Sequence, residues 1–240
     1  MNGRAGVNRV WWDLRGENGK MPHMLVPPPD APWVPNGPEG YHILTGIMIP
    51  NVVRGPVVAP GTYTVSLNAG GKTSTAPVQV LPDPHTLGTP ASIAAEAAFQ
   101  RQVAGEIDQV SGMIEQLEQV RQRVATVQAR VGSDPKEKAV LDAAKKLADG
   151  AMAVEGKLID IWLTNGHEDL NRHPSQLYQK LTALYDKERA DLGPTAADVE
   201  VNRYFQTWMA DSKAALDQFV GKDVPAFDAV LRAHHLSLTP

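Results

Sequence analysis

The chain has 240 residues, 42% hydrophobic and 21% charged, the make-up of a globular protein with room for one large domain or two ordinary ones. A formal net charge of −4 and a pI near 6.0 leave no basic footprint for a polyanion, so nucleic acid is not an expected partner. The absence of cysteine excludes disulfides, thiol nucleophiles and cysteine-ligated zinc.

The most apolar run, Ile43 to Val53, is cut by Pro50 and Asn51 and falls short of the roughly 18 to 20 residues of a membrane span. The start, MNGRAGVNRVWW, lacks the uninterrupted apolar segment of a secretory signal. Fourteen of the 19 prolines lie in the first 90 residues, and this asymmetry divides the chain into a strand-bearing part, 1–88, and a helical part, 89–240.

In the first part, Val10, Trp12 and Leu14 share one face of an extended segment, with Trp11 and Asp13 on the other, the pattern of a half-buried strand. Trp12 is expected in a core. Trp11 faces away, to cover the second face, pack on neighbouring segments or stack on a sugar. A proline-rich excursion, 22–38, holds seven prolines and has polyproline character; a loop of that length is usually a contact surface. Trp33 lies in it and Tyr41 just beyond. Pro60-Gly61 then makes a turn, Thr62 to Leu67 a strand, Asn68 to Lys72 a hairpin connection, and Thr73 to Leu81 the return strand. Pro77 marks that strand as an edge or a bulge.

From Thr89 the period changes. Val103, Val110, Leu117, Val124 and Val131 recur every seven residues, so one helix from Pro90 to Val131 is expected, started by Thr89-Pro90 and stopped by Gly132. Ser133-Asp134-Pro135 opens a second helix with Val140, Leu147, Val154 and Ile161 in register, and the two make a long antiparallel hairpin. A third helix is expected from about Ser175 to Leu192. A fourth starts at Thr195, with Asp198 in the capping-box position, and turns Val201, Phe205, Trp208, Leu216 and Phe219 inward; Gly221 to Pro225 breaks it before a fifth with Phe227, Val230 and Leu231. Trp162 and Trp208 are expected in the core.

No catalytic, metal-binding or cofactor-binding set emerges. His167 to His173, HEDLNRH, does not have the i, i+4 spacing that aims two histidines at one ion. His234 and His235 are adjacent and diverge on a solvated helix end. Gly70-Gly71-Lys72-Thr73 lacks the first glycine of a phosphate loop, since Ser66 stands there, and a hairpin turn explains it. The strand part holds five acids, Asp13, Glu17, Asp30, Glu39 and Asp83, whose proximity the sequence does not fix.

Taken in order, NRVWWDLR (Asn8 to Arg15), GPVVAPGTY (Gly55 to Tyr63), VLPDP (Val80 to Pro84) and the helical SQLYQKLTALY (Ser175 to Tyr185) resemble the C-terminal region of bacterial sortilin-type BNR-repeat proteins, often labelled glycosyl hydrolase-like. The tryptophan-aspartate and Pro-Gly-Thr-Tyr pairing is also similar to Ig-like modules of flagellar hook-capping type. The resemblance implies an α+β chain: a partial Ig-like or fibronectin-like antiparallel β-sandwich, its first strands upstream of Met1, followed by an antiparallel helical bundle with one long helical hairpin. It also implies export to the periplasm or beyond, and a β-propeller as neighbour. The propeller repeat Ser-x-Asp-x-Gly-x-Thr-Trp does not occur, so no catalytic residue is carried over.

The leading expectation is a non-catalytic accessory segment that docks to or completes a partner, either another chain or an upstream propeller, with homo-oligomerisation as a further option. The alternative is carbohydrate or cell-surface binding through Trp33, Tyr41 and Trp11, and the third is a glycoside hydrolase with a hidden acid/base pair. No cofactor is expected.

Overall fold

The structure is a computed structural model, and it describes residues 6–44, 53–164, 173–187 and 191–236. Its regular elements are β1 (Gly61–Ala69), β2 (Lys72–Val80), α1 (Pro90–Val131), α2 (Lys138–Glu155), α3 (Leu177–Tyr185), α4 (Ala196–Gln218) and α5 (Val224–Ala233). Among the described residues about 52% are helical, and the sheet has two antiparallel strands. This overturns the expected sandwich-plus-bundle class: the fold is mostly helical with one small hairpin.

The reason is hydrogen bonding. Residues 7–14 alternate correctly but form no strand. Among the described residues, the backbone ladder to the neighbouring segment is formed near Leu14 to Gly16, where the Val58 N–H donates to the Leu14 carbonyl at 2.9 Å and the Gly16 N–H to the Pro56 carbonyl at 2.9 Å. Leu14 itself has φ 60°, a left-handed conformation that ends the alternation. Trp12, expected in a core, is 41% exposed, its indole N–H donating to the Arg15 carbonyl at 2.8 Å.

The chain divides into two compact units. One comprises Met1–Asn18, Arg54–Gln102 and Glu188–Pro194; the other comprises Gly19–Val53, Val103–Lys187 and Thr195–Pro240.

The first unit carries the hairpin and the start of α1. Thr89 caps α1 by accepting from the Ser92 N–H at 3.1 Å. Gly88 lies against the Asp191 backbone, so close that a Cβ there would sit 2.1 Å from the Asp191 carbonyl oxygen.

In the second unit the seven-residue series is the core. Val103, Ile107, Val110, Ile114, Leu117 and Val124 are buried on α1, and Val140, Ala144, Leu147 and Ala151 on α2. Gly132, with φ 60°, closes α1 by donating to the Gln128 carbonyl. Arg121 faces Glu155 while Val124 and Gln128, nearer the turn, share a cavity wall with Met152 and Ala148, so α1 and α2 run in opposite directions. The α2 series stops at Glu155 rather than continuing to Ile161. Beyond Gly156, Leu158 and Ile159 stay buried in irregular chain, and the Leu158 carbonyl accepts the Tyr178 N–H at 2.8 Å.

α3 is shorter than expected. α4 starts as expected, Thr195 accepting from the Asp198 N–H at 3.2 Å and Asp198 accepting the Thr195 N–H at 3.0 Å. Phe205, Leu216 and Phe219 are buried; Val201 is exposed and Trp208 half-buried, since α4 hides only a narrow stripe. Trp162 is exposed, outside any helix. Where a break was expected, a π-helical turn (Phe219–Asp223) carries α4 into α5; the wider turn accommodates Pro225, which has no N–H for the regular ladder.

A buried charge cluster pins the proline-rich excursion to this core. Glu118 accepts the N–H groups of Leu25 and Val26 and an Arg121 guanidinium N–H, and Arg121 also donates to Glu155 at 3.0 Å. Burial, and then the charge of Glu118, push the Glu155 carboxyl well above the usual carboxylate range, with Arg121 opposing. A raised folded-state pKa stabilises the fold at low pH and withdraws that stability as pH rises from the ordinary glutamate value of 4.5 toward the folded one. Glu155→Gln has no proton to lose. Urea unfolding at about pH 5 and about pH 8 is expected to show a smaller loss of stability with rising pH in this variant than in the parent chain.

Candidate functional site

The candidate site lies in the first unit, on the hairpin and at its root. Gly70 (φ 56°) and Gly71 (φ 74°) form a two-residue turn in which both central residues are left-handed, the type whose twist matches paired strands. The register runs from Ala69↔Lys72 to Gly61↔Val80 without a bulge. A two-residue turn makes its flanking pair hydrogen-bonded, and the pairs then alternate. Ala69, Leu67, Val65, Tyr63 and Gly61 therefore bond inward to β2, while Asn68, Ser66, Thr64 and Thr62 aim their N–H and C=O groups at the outer edge of β1.

Pro77 pairs with Thr64, one of the outward-bonding positions. Its missing N–H costs the hairpin nothing and removes a donor from the outer edge of β2, as expected of an edge proline. β1, GTYTVSLNA, has neither proline nor charge. Proteins commonly guard open edges with those residues, and here β2 is guarded with Pro77 and Lys72 while β1 is not.

The pairing also sorts the faces. Thr62, Thr64, Ser66, Asn68, Thr73, Thr75, Pro77 and Gln79 share a largely polar face; Tyr63, Val65, Leu67, Ala76, Val78 and Val80 share an apolar one. The root of the apolar face is covered, Trp12 meeting Tyr63 edge-on at 5.5 Å between ring centres and the Tyr63 hydroxyl donating to the Ala59 carbonyl at 2.6 Å. Its outer part is open: Val65, Leu67 and Val78 are all exposed, Leu67 at 59%.

At that root lies a cavity of about 440 Å³. Its apolar wall includes Leu14, Val57, Val58, Val80, Ile93 and Ala97, and its polar groups are Asp83, Glu96, Asp191 and Gln100. Glu96 is buried and accepts from the Gln100 amide at 3.1 Å. Asp83 accepts the His85 N–H at 2.8 Å. Asp191 accepts from the Thr86 hydroxyl at 2.6 Å, and its carbonyl from the Ser92 hydroxyl at 2.7 Å. No group of three or more metal-ligating side chains is gathered to hold an ion among the described residues.

Of the aromatic residues singled out in the sequence, Trp11 is 84% exposed in the first unit, with the Arg9 guanidinium 5.8 Å from its ring centre. Trp33 and Tyr41 belong to the second unit. Trp33 is 76% exposed. Tyr41 stacks on His23 at 3.9 Å between ring centres and donates to Glu39 at 2.6 Å, a bond that raises its pKa, so one face of its ring is taken. His42 beside it has its pKa lowered by burial and shares a 2.8 Å hydrogen bond with Asn36. Most of HEDLNRH lies outside the described residues, His173 alone being within them. His234, expected in solvent, meets Glu137 at 2.7 Å. The cavity was missed in the sequence because its carboxylates come from three distant segments; the one local signal is Glu96, a single acid among alanines in AAEAAF.

No family model matches the chain, and no curated protein and no solved structure matches it. No described helix is long and apolar enough to cross a membrane.

The Asp191 wall of the cavity depends on Gly88. Gly88→Ala sets a Cβ against backbone that cannot swing aside, and is expected to destabilise the first unit by about 1–3 kcal/mol, read from denaturant unfolding.

Proposed function

We propose that the chain is a non-catalytic accessory segment that docks an extended strand of a partner protein on the open edge of β1. The observation carrying this reading is the asymmetry of the hairpin: β2 is blocked by Pro77, while β1 offers an unbroken row of outward amides with no charge or proline to repel a neighbour. A two-stranded sheet is marginal alone, and covering an apolar side chain such as Val65, Leu67 or Val78 contributes about 1.5–3 kcal/mol, so an added strand and the structure behind it stabilise what the hairpin leaves exposed. The sortilin-type resemblance names a β-propeller as one source of such a strand, in the same polypeptide or another.

The test uses a peptide of alternating threonine and valine, matched to the nine residues of β1. Its addition is expected to shift the amide resonances of Thr62, Thr64, Ser66 and Asn68, with no effect from the same peptide methylated on alternate amides. Ser66→Pro removes an outward N–H while sparing the inner ladder, and is expected to weaken binding by about ten-fold or more at unchanged helical circular dichroism. Equal binding of the methylated peptide, or undiminished binding to the variant, would contradict the proposal.

A further inference from the structure

We infer that the strand taken up by the open edge of β1 is β1 of a second copy of this chain, which rests on the docking reading for the edge itself. β1 is exposed along its length, with Tyr63 alone half-buried, and its outward-bonding residues, Thr62, Thr64, Ser66 and Asn68, lie evenly about Val65, the middle of its nine residues. Two such edges pair antiparallel about a two-fold axis perpendicular to the sheet, the rotation that reverses a strand, turns its open edge toward its own copy and keeps its faces. The outer edges of the resulting sheet, in the order β2-β1-β1-β2, are both β2, where Lys72 and Pro77 stand, so the assembly closes at two copies. Four strands also exceed the two that are marginal alone.

The ends of β1 choose the register. With Val65 opposite Val65 of the second copy, Thr64 bonds to its Ser66 and Thr62 to its Asn68, so every outward residue of both copies uses its N–H and its carbonyl within the strands. Placing Thr64 opposite itself instead sets Asn68 against Pro60, which has no N–H to give. Placing Ser66 opposite itself sends Thr62 against Gly70, in the left-handed turn. The central register also suits the side chains: Val65 meets Val65 and Tyr63 meets Leu67 on the apolar face, while Thr64 meets Ser66 and Thr62 meets Asn68 on the polar one. Since β1 has no charged residue, self-pairing brings no like charges together along it.

Sedimentation equilibrium of the whole chain is expected to show a mass rising from one copy, 25.9 kDa, at about 1 μM toward two copies at about 1 mM, the range of a small transient interface. Ser66→Pro removes an outward N–H from each copy and is expected to weaken self-association by about ten-fold or more. The chain has no cysteine, so one introduced thiol reports the register. Val65→Cys sets two thiols opposite each other with Cα atoms about 4.5 Å apart, within reach of a disulfide. Leu67→Cys sets them four residues apart along the strands, about 14 Å, which is beyond reach. Under mild oxidation Val65→Cys is expected to cross-link at least about ten-fold faster than Leu67→Cys. A single-copy mass up to about 1 mM, a dimer undiminished in Ser66→Pro, or equal cross-linking of the two cysteine variants would overturn the inference. The strand peptide separates it from the docking reading: a chain that stays single while the peptide still shifts Thr62, Thr64, Ser66 and Asn68 takes its strand from another protein, whereas a chain indifferent to both has no docking edge.

Discussion

The two-residue turn at Gly70-Gly71 sets everything that the hairpin can offer. Because both residues occupy the left-handed region, Ala69 and Lys72 close the ladder, and every second residue of β1 is then committed to β2 or to the outer edge. One residue more or fewer in the loop would exchange those roles. It would carry Tyr63, Val65 and Leu67 to the opposite face and place Pro77 where the ladder needs a donor. The apolar face, the harmless proline and the open β1 edge are thus consequences of one turn.

The two units are stabilised by different means. In the second, a seven-residue apolar series is buried on both α1 and α2, and polar groups inside it are gathered into a cluster in which Glu118 and Arg121 balance each other and burial raises the Glu155 carboxyl well above the usual carboxylate range. That cluster also holds the backbone of Leu25 and Val26, so the proline-rich excursion is part of the core rather than a free loop. In the first unit, the outer part of the hairpin has no comparable cover. Exposed Val65, Leu67 and Val78 bring it little hydrophobic stabilisation, and it is there that a partner has most to add.

Much of this was legible wherever the determinant is local. Thr89 and Gly132 bound α1 to the residue, Thr195 and Asp198 form the expected capping box, and Asn68 to Lys72 contains the turn. Pro77 lies in an edge strand. What failed depends on partners far along the chain. Val10, Trp12 and Leu14 have strand periodicity, but alternation makes a strand only where a neighbour supplies hydrogen bonds, and only Leu14 finds one. The apolar series of α2 continues in spacing to Ile161, while Gly156 and the buried Glu155 end the helix before it. The cavity joins Asp83, Glu96 and Asp191, and nothing near any of them in sequence announces the other two.

The docking edge depends on the division of β1 into inward and outward amides, which site-resolved amide hydrogen exchange reads residue by residue. Slow exchange is expected at Tyr63, Val65 and Leu67 and fast exchange at Thr62, Thr64, Ser66 and Asn68 in the free chain. Uniform protection along the strand, or the opposite alternation, would contradict it.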